Sequence, residues 1–565
     1  MQEWRIYSKK ADFSAIGKKY GIDQVIARVI RNRDIEGDAA MDSYLNGSVD
    51  SMYDPMLMKD MGKAVDILLD TIKNKRKIRI IGDYDIDGIC SIYILFKGLL
   101  FLGADVDYEV PDRIKDGYGI NENLIKQAYD DGREVILTCD NGIAATEQVR
   151  YARSLGFTVI VTDHHDIRYE EIDGKKTYIL PEADAIVNPK QSDCSYPCSF
   201  LCGAGVSYKL MQELFKRTGN EGKEREFLVF AGIATVGDVV DLKDENRIFV
   251  KEGLKQFKET DNYGLRALTV INGLDDKEIC AYHIGFIIGP CLNASGRLDT
   301  AKRALKMLLS KDKYEAERLA GDLVSLNEER KSLTAAAVEK IVDENYTDDT
   351  VLVIYLPDCH ESIAGIVAGR IREKYYKPVI VLTKGEDGVK GSARSIESYN
   401  IFEKLCECSH LLTKFGGHPL AAGMSLKELR KYLNEHSNLT KDDLTEKVWI
   451  DVPMPLEYIN EDIINELSLL EPYGKGNEKP VFADKNLIIV SFMRIGRDGK
   501  FAKMELKKNN GMSIFAMCFN NCDGLNEAFI NNKRISCTYY PEINEFRGNK
   551  KLQICITGYR IEEDI

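Results

Sequence analysis

Between residues 76 and 240, short apolar runs alternate with longer segments of helical character. The runs are rich in Ile and Val and fall at 78–81, 106–110, 135–137, 159–161 and 186–187. Helix-like segments intervene at 89–102, 121–131, 144–155 and 203–216. Such alternation predicts an α/β fold with a doubly wound, mainly parallel sheet. Ligands in such sheets bind beyond the carboxyl ends of the strands, so polar residues just after each apolar run are the first candidates for function.

The pattern changes three times farther along. Residues 301–346 carry apolar positions at helical spacing (Leu305, Leu308, Leu309, then Ala316, Leu319, Leu323, Leu326), no Pro and only Gly321, which predicts a long connecting helix or a helix pair. A second, smaller α/β pattern follows: an apolar run at 351–355, a helix at 365–376 and another run at 378–382. After about residue 441 short alternating runs at 487–490, 512–516 and 534–539 predict a small β-barrel. The expected division is an N-terminal helical segment (1–47), a main α/β domain (48–300), connecting helices (301–348), a second α/β domain (349–440) and the barrel (441–565).

Composition adds little to that picture. The 565 residues are 44% hydrophobic and 30% charged, enough for several domains, each with its own core. The N-terminus lacks an apolar secretory core and Ser91, Lys97 and Gly98 interrupt the longest apolar run, so a cytoplasmic location and no membrane partner are expected. Fourteen scattered cysteines read as reduced thiols. Cys194, Cys198 and Cys202, four apart, invite a zinc or iron–sulfur reading, but no Cys-x-x-Cys and no fourth ligand at zinc-finger spacing accompany them. The formal charge of −13 speaks against a general nucleic-acid binder, yet acids clustered around metals inflate that count while a cleft can still be basic.

The chemistry concentrates after the apolar runs. Asp83, Asp85 and Asp87 crowd one stretch, Asp140 opens Asp140-Asn141-Gly142, and Asp163-His164-His165 follows one βα unit later. Asp-Gly and Asn-Gly pairs alone are ordinary turn formers. Like charges at several converging strand ends repel, however, and a fold bears that cost when a cation neutralises them. Mg²⁺ and Mn²⁺ favour carboxylate oxygens, and an imidazole tilts the preference toward Mn²⁺. Two ions about 4 Å apart would be served by Asp83, Asp85, Asp87, Asp140 and Asp238, with His164 as nitrogen ligand. Asp238 ends an apolar helix-like run, where an unpartnered buried carboxylate is costly. His165 is expected as a second ligand or as the group that orients the phosphate or a neighbouring carboxylate, and Asp163 joins the catalytic set. Arg113, Arg297, Ser392 and Arg394 match phosphate oxygens, with structural ion pairing as the competing role. His418 either contacts phosphate or caps a loop. Arg370 and Arg372 read as a solvated or DNA-facing helix surface.

In order along the chain stand Gly82-Asp83-Tyr84-Asp85-Ile86-Asp87-Gly88, Pro111-Asp112-Arg113 with Gly117-Tyr118-Gly119, Asp140-Asn141-Gly142, Asp163-His164-His165 and Val187-Asn188-Pro189-Lys190. Then come Gly237-Asp238-Val239-Val240, Asn293-Ala294-Ser295-Gly296-Arg297-Leu298, Gly391-Ser392-Ala393-Arg394-Ser395, Phe415-Gly416-Gly417-His418 and Leu470-Glu471-Pro472-Tyr473-Gly474-Lys475-Gly476-Asn477. This ordered set resembles the DHH phosphoesterase superfamily and, within it, the RecJ-type bacterial single-strand-specific exonucleases, over residues 50 to 565. The resemblance implies a Mn²⁺- or Mg²⁺-dependent exonuclease with two ions that degrades single-stranded DNA from 5′ to 3′ into mononucleotides in repair and recombination. It implies the same ligand set, a DHHA1 accessory domain facing the metals, and an OB-fold barrel. Single-stranded DNA is the expected partner, with a single-strand-binding protein and a RecQ-type helicase as candidate protein partners.

Within the barrel, Phe492, Arg494, Arg497, Lys500, Phe501 and Lys503 interleave aromatic and basic groups as single-strand platforms do, although a solvated turn would read alike. Cys291 stands where the family usually carries arginine. Two rival readings are a related enzyme acting on short oligoribonucleotides or cyclic dinucleotides, and a non-catalytic scaffold of replication complexes. The first generally lacks the barrel and the second has lost metal ligands that are complete here.

Overall fold

A computed structural model describes residues 2–113, 115–172, 175–342, 348–385, 388–408, 411, 420–422, 426–496, 499–520, 522–546 and 549–562. It falls into two compact units, residues 48–445 and residues 1–47 with 446–565.

The larger unit is built on a five-stranded parallel sheet. Its strands are β1 (Lys77–Ile81), β2 (Asp105–Glu109), β3 (Val135–Cys139), β4 (Thr158–Thr162) and β5 (Ala185–Val187), in the order β2-β1-β3-β4-β5. Both faces are covered, which is why the strands read as near-continuous apolar runs. Ile78, Ile80 and Leu137 pack with the helices α1 (Ile86–Phe101) and α4 (Gly203–Arg217). Ile81, Ile136 and Val159 pack on the other side with α2 (Glu122–Asp130) and α3 (Thr146–Ser154). The chain steps from β1 outward to β2 and then crosses back to β3, so the order reverses between β1 and β3. Open α/β sheets carry their ligand crevice at such a reversal.

One asparagine fixes that reversal. Asn141 Nδ2 donates to the carbonyls of Ile81 (3.1 Å) and Cys139 (2.8 Å), and its Oδ1 accepts from the Ile120 amide at 3.1 Å. The ends of β1 and β3 are thereby tied at a set spacing. Between β4 and β5 an antiparallel hairpin, Tyr169–Ile172 with Lys175–Tyr178, forms a separate two-stranded sheet.

Beyond β5 the unit is helical. Helix α5 (Leu228–Gly237) ends at Asp238, and α6 is Gly289–Leu298. The stretch expected as one or two connecting helices is a pair, Lys302–Leu309 and the 30-residue α7 (Lys313–Val342). Ser310 is extended, and Asp312 Oδ1 accepts from the Glu315 amide at 2.7 Å, so the break and the restart are both encoded locally. A four-stranded sheet follows: β6 (Leu352–Tyr355), β7 (Val379–Gly385), β8 (Gly388–Arg394) and β9 (Leu420–Ala422), in the order β9-β8-β7-β6. Helix α8 (Ala364–Tyr375) buries Val367, Ala368 and Ile371 against β6 and β7.

The smaller unit is a closed five-stranded barrel of β10 (Phe482–Ile495), β11 (Phe501–Lys507), β12 (Ser513–Cys518), β13 (Arg534–Phe546) and β14 (Asn549–Ile561). Residues from the N-terminal segment share its core: Ile26, Ile30 and Tyr44 pack in one cluster with Leu467, Leu470 and Phe482. The segment opens with a strand, Glu3–Ile6, paired in parallel with Lys447–Ile450. Arg33 makes a two-pronged contact with Asp451 (2.6 and 3.1 Å), both side chains buried. No helix among the described residues is long and apolar enough to cross a membrane.

Candidate metal centre and guanidinium pocket

The loops after β1, β3 and β4 bring the acidic residues together. Asp85 is the N-cap of α1, its Oδ1 accepting from the amides of Asp87 (3.0 Å) and Gly88 (3.1 Å). That cap turns Asp87 inward, where its carboxylate accepts from the Gly203 (2.6 Å) and Ala204 (2.7 Å) amides at the start of α4. A helix N-terminus suits an anion in a buried place. Gly203 is required there, because a Cβ would stand 2.7 Å from Asp140 Cβ. Asp140 itself has φ of 59°, a left-handed backbone that Asp tolerates better than most residues. Its carbonyl accepts from the Tyr118 hydroxyl at 2.7 Å.

Three groups of side chains hold their ligand atoms within 4.8 Å of one another: Asp83, Asp85 and Asp140; Asp87, His164 and Asp238; and Asp140, His164 and His165. His164 Nε2 lies 3.1 Å from Asp140 Oδ1, 3.6 Å from Asp87 Oδ2 and 3.7 Å from Asp238 Oδ2. Asp83 Oδ1, Asp140 Oδ1 and His164 Nε2 are buried without a hydrogen-bond partner among the described residues. Buried polar atoms are normally paired, so three such orphans aimed into one space fit a divalent cation that would complete them.

The electrostatics of the cluster agree. Burial and the charges of its carboxylate neighbours push Asp83 and Asp140 well above the usual range. Asp87 is raised by burial, with His164 opposing. Burial together with Asp87 and Asp85 carries Asp238 up to about 8. Burial also holds His164 below its ordinary value, in the neutral form that a metal requires. Asp163 plays a different part. Its Oδ1 accepts from the His164 and His165 amides (2.7 and 3.1 Å) and lies 2.8 Å from His165 Nδ1, while Oδ2 accepts from the Ile143 amide at 2.9 Å. Burial works against protonation of His165, but the bond to Asp163 wins and brings it up to about 9.

A cationic pocket borders the Asp83–Asp85 side. Burial and the neighbouring charges of Arg113 and Arg330 lower Arg297 to about 10. Arg394 is lowered by desolvation and by Arg372 and Arg113. Arg113 lies 4.9 Å over the Tyr84 ring, and Arg297 Nη1 donates to the Ser362 carbonyl at 2.9 Å. Arg394 occupies the space a side chain on Gly365 would need, with Nη2 2.9 Å from a Cβ placed there. Arg113, Arg297 and Arg394 crowd each other and form no ion pair among the described residues, with Asp85 the carboxylate whose charge acts on Arg297, and such a group of guanidiniums suits an anion.

Family models match residues 77–235 (DHH family, N-terminal domain), 348–442 (DHHA1 domain) and 450–558 (RecJ OB domain). The single-stranded-DNA-specific exonuclease RecJ of Bacillus subtilis (strain 168) is 35% identical over 573 residues, covering 99% of this chain and 71% of that protein. The chain belongs to the RecJ family. RecJ from Thermus thermophilus in complex with Mn²⁺ superposes with a TM-score of 0.84 at 26% identity, covering 100% of this chain and 80% of that one. RecJ from the same organism in complex with Mg²⁺ gives 0.78 at 25% identity, covering 100% and 79%.

Other expected positions divide. Arg330, on α7, adds its charge to the guanidinium pocket beside Arg297 although its sequence context, Glu328-Glu329-Arg330-Lys331, reads as a solvated helix face. Its Nε donates to Asn327 Oδ1 at 3.1 Å, and Asn327 Nδ2 reaches Cys291 Sγ at 3.5 Å. Cys291 is buried and points to α7. Ser392 sits on β8, half-buried, two residues before Arg394. His418 and Arg497 lie outside the described residues. In the barrel Phe492 stacks on Phe529 at 6.1 Å and Arg494 is paired with Asp523 at 2.7 Å. Phe501 and Lys503 do face outward on β11, alongside Phe515 of β12, over which Lys503 Nζ sits at 5.5 Å. Of the three cysteines at four-residue spacing, Cys198 and Cys202 are buried and Cys194 Sγ accepts from the Lys59 amide at 3.4 Å.

Proposed function

We propose that this protein is a divalent-metal-dependent exonuclease that removes mononucleotides from the 5′ end of single-stranded DNA in repair and recombination. The observation that carries the reading is the set of buried, partnerless ligand atoms, Asp83 Oδ1, Asp140 Oδ1 and His164 Nε2, at the strand reversal of a RecJ-family sheet. Asp83, Asp85 and Asp140 would hold one Mn²⁺ or Mg²⁺, and Asp87, His164 and Asp238 a second. Bound ions of this kind supply a deprotonated water near neutral pH and neutralise charge on the phosphate and its leaving oxygen. Asp163 keeps His165 protonated, and the imidazolium presents a positive charge to the scissile phosphate. Arg113, Arg297, Arg394, Ser392 and Arg330 bind the terminal 5′ phosphate, with His418 as a further candidate.

The division of labour follows the sequence boundaries. Residues 48–300 carry the chemistry, 301–348 connect, 349–440 contribute the pocket wall with Ser392 and Arg394, and 441–565 hold the strand, with 1–47 as their support. Phe501, Lys503 and Phe515 offer rings and charge to unpaired bases. The enzyme works in the cytoplasm, where a single-strand-binding protein and a RecQ-type helicase would present the strand. Two of the chain's relatives support the ion and the substrate: a RecJ structure with Mn²⁺ and a single-stranded-DNA-specific exonuclease.

The test is a substrate panel in Mn²⁺ with 5′ and 3′ end labels: long single-stranded DNA, duplex DNA, short RNA and cyclic dinucleotides. Release of labelled mononucleotide from the 5′ end of the single strand alone is expected. Shortening from the 3′ end, or preference for RNA or a cyclic dinucleotide, refutes the assignment.

A further inference from the structure

Asp238 is followed by a residue in an unusual conformation. Val239 closes α5 with φ of 58°, in the left-handed region. After a helix end that position normally belongs to glycine, and a β-branched side chain there leaves the backbone only a narrow well. A glycine does stand nearby, but at Gly237, where a Cβ would lie 2.5 Å from Ile86 Cγ2. Val239 is 60% exposed and belongs to none of the hydrophobic cores of the described residues, so packing of its side chain does not account for it. Backbone of this kind persists only where the surroundings over-determine it, and it gathers at functional sites.

Both ends of the connection that Val239 opens are fixed. Helix α5 lies antiparallel against the helix Asp244–Phe257 at backbone contact: a Cβ on Gly232 would stand 2.8 Å from the Phe249 carbonyl oxygen, and one on Gly253 2.6 Å from that of Leu228. Only residues 238–243 join the two helices. At the near end the Asp238 amide donates to the Ala234 carbonyl at 2.8 Å, and the Val239 amide to that of Val236 at 3.3 Å. At the far end Asp244 is again left-handed, with φ of 49°, and its Oδ2 accepts from the Tyr53 hydroxyl at 3.1 Å. Asn246 Nδ2 donates back to the Asp241 carbonyl at 3.1 Å, inside the connection itself. Glu245 is buried, lies 2.7 Å from Lys209 Nζ, and accepts from the Tyr53 amide at 2.8 Å and from the Tyr196 hydroxyl. Lys209 is fully buried on α4, the helix whose first two amides hold Asp87. One helix therefore indexes both carboxylates of the Asp87, His164 and Asp238 group: Asp87 through its amides, and Asp238 through Lys209, Glu245 and the short connection.

We propose that Val239 is a positioning residue for the second ion: its confined backbone stiffens the connection and holds the Asp238 carboxylate opposite Asp87 and His164 before an ion arrives. The proposal rests on the metal reading given above. A ligand already in place loses little freedom on binding, and a supporting group of this kind contributes about ten- to a hundredfold in metal affinity.

The test follows three quantities in the full-length enzyme and its Val239→Gly and Val239→Ile variants: Mn²⁺ binding by isothermal titration, the Mn²⁺ needed for half-maximal hydrolysis of a thymidine strand, and Tm in chelator. Glycine removes the steric cost and widens the backbone well, so Val239→Gly is expected to keep Tm at or above wild type. In the same variant one Mn²⁺ is expected to bind about tenfold more weakly and half-maximal hydrolysis to need about tenfold more Mn²⁺, with kcat at saturating Mn²⁺ near wild type. Val239→Ile, again β-branched, is expected to bind as wild type does. Wild-type Mn²⁺ binding by Val239→Gly overturns the proposal; so does weaker binding that comes with a lowered Tm, which would mark a general loosening of the fold. Asp238→Asn in the same titration is expected to lose one ion. Retention of every ion by that variant, or no uptake by wild type, would instead remove the metal reading beneath the proposal.

Discussion

His164 Nε2 and Asp140 Oδ1 face each other at 3.1 Å, both buried and neither with a hydrogen-bond partner among the described residues. With the imidazole held neutral by burial, the pair is one half of a coordination shell. Asp140→Ala or His164→Ala is expected to lower kcat by about a thousandfold or more while leaving the fold and single-strand binding in place. Steady-state kinetics alongside a binding titration check this; turnover retained by either purified variant refutes the assignment.

The raised carboxyls make a statement about stability. A group whose folded pKa exceeds its unfolded value stabilises the fold below the unfolded value and loses that contribution as pH rises through the folded one. For Asp238 the window runs from 3.8 to about 8, and Asp83 and Asp140 act in the same direction. In chelator, Tm is expected to fall across that window as pH rises, and the Tm gain on adding Mn²⁺ to grow with it. A Mn²⁺ gain that shrinks toward alkaline pH contradicts the clustering.

Asp163 sets the charge of His165. Removing its carboxylate charge takes away the bond and the charge that outweigh burial, leaves burial opposed by Asp238 and Asp87, and should bring His165 down from about 9. Asp163→Asn is therefore expected to move the alkaline limb of the kcat profile to lower pH, with activity near wild type around pH 6 and about tenfold lower around pH 8. Superimposable profiles for the two enzymes would assign Asp163 a purely structural role.

Gly203 is a tight point of the cluster. A methyl group there would stand 2.7 Å from Asp140 Cβ and 3.0 Å from Asp140 Oδ1, on backbone that also anchors Asp87. Gly203→Ala is expected to weaken Mn²⁺ activation by about ten- to a hundredfold. Gly205→Ala, where the added Cβ meets Leu201 at an ordinary 3.4 Å, serves as the neutral comparison in the same metal titration.

Arg330 reaches the pocket from the middle of α7 on a brace of Asn327 and Cys291. Arg330→Ala is expected to raise KM for 5′-phosphorylated single strands by about tenfold with little change in kcat, and to narrow the preference over strands with a 5′ hydroxyl. Equal KM ratios for the two strand types in variant and wild type would remove Arg330 from the pocket.

The sheet and its acidic tips are legible because both rest on local signals. Two-sided burial writes Ile- and Val-rich runs, and Asp83, Asp140 and Asp163 each follow one directly. The distant contacts are not legible in this way. The strand Glu3–Ile6 has four residues, too few to show a period, and its partner lies more than 440 positions away. Arg330 carries the same surroundings as any solvated helix face, and only the thiol of Cys291, 36 positions before Asn327, marks it. In the barrel, aromatic and basic interleaving points to a platform but does not say which side chains turn outward. Phe492 and Arg494 turn to Phe529 and Asp523, while Phe515, on another strand, takes their place beside Lys503.

The shared core of residues 1–47 and the barrel has a consequence during synthesis. Helices bearing Ile26, Ile30 and Tyr44 leave the ribosome well before Leu467, Leu470 and Phe482, against which they close and which are made more than 400 residues later. These helices must wait, apolar faces open, while the α/β unit is made between the two parts of the smaller one. A nascent protein cut short before the barrel thus carries a sticky leader that quality control can recognise, and only a finished polypeptide conceals it.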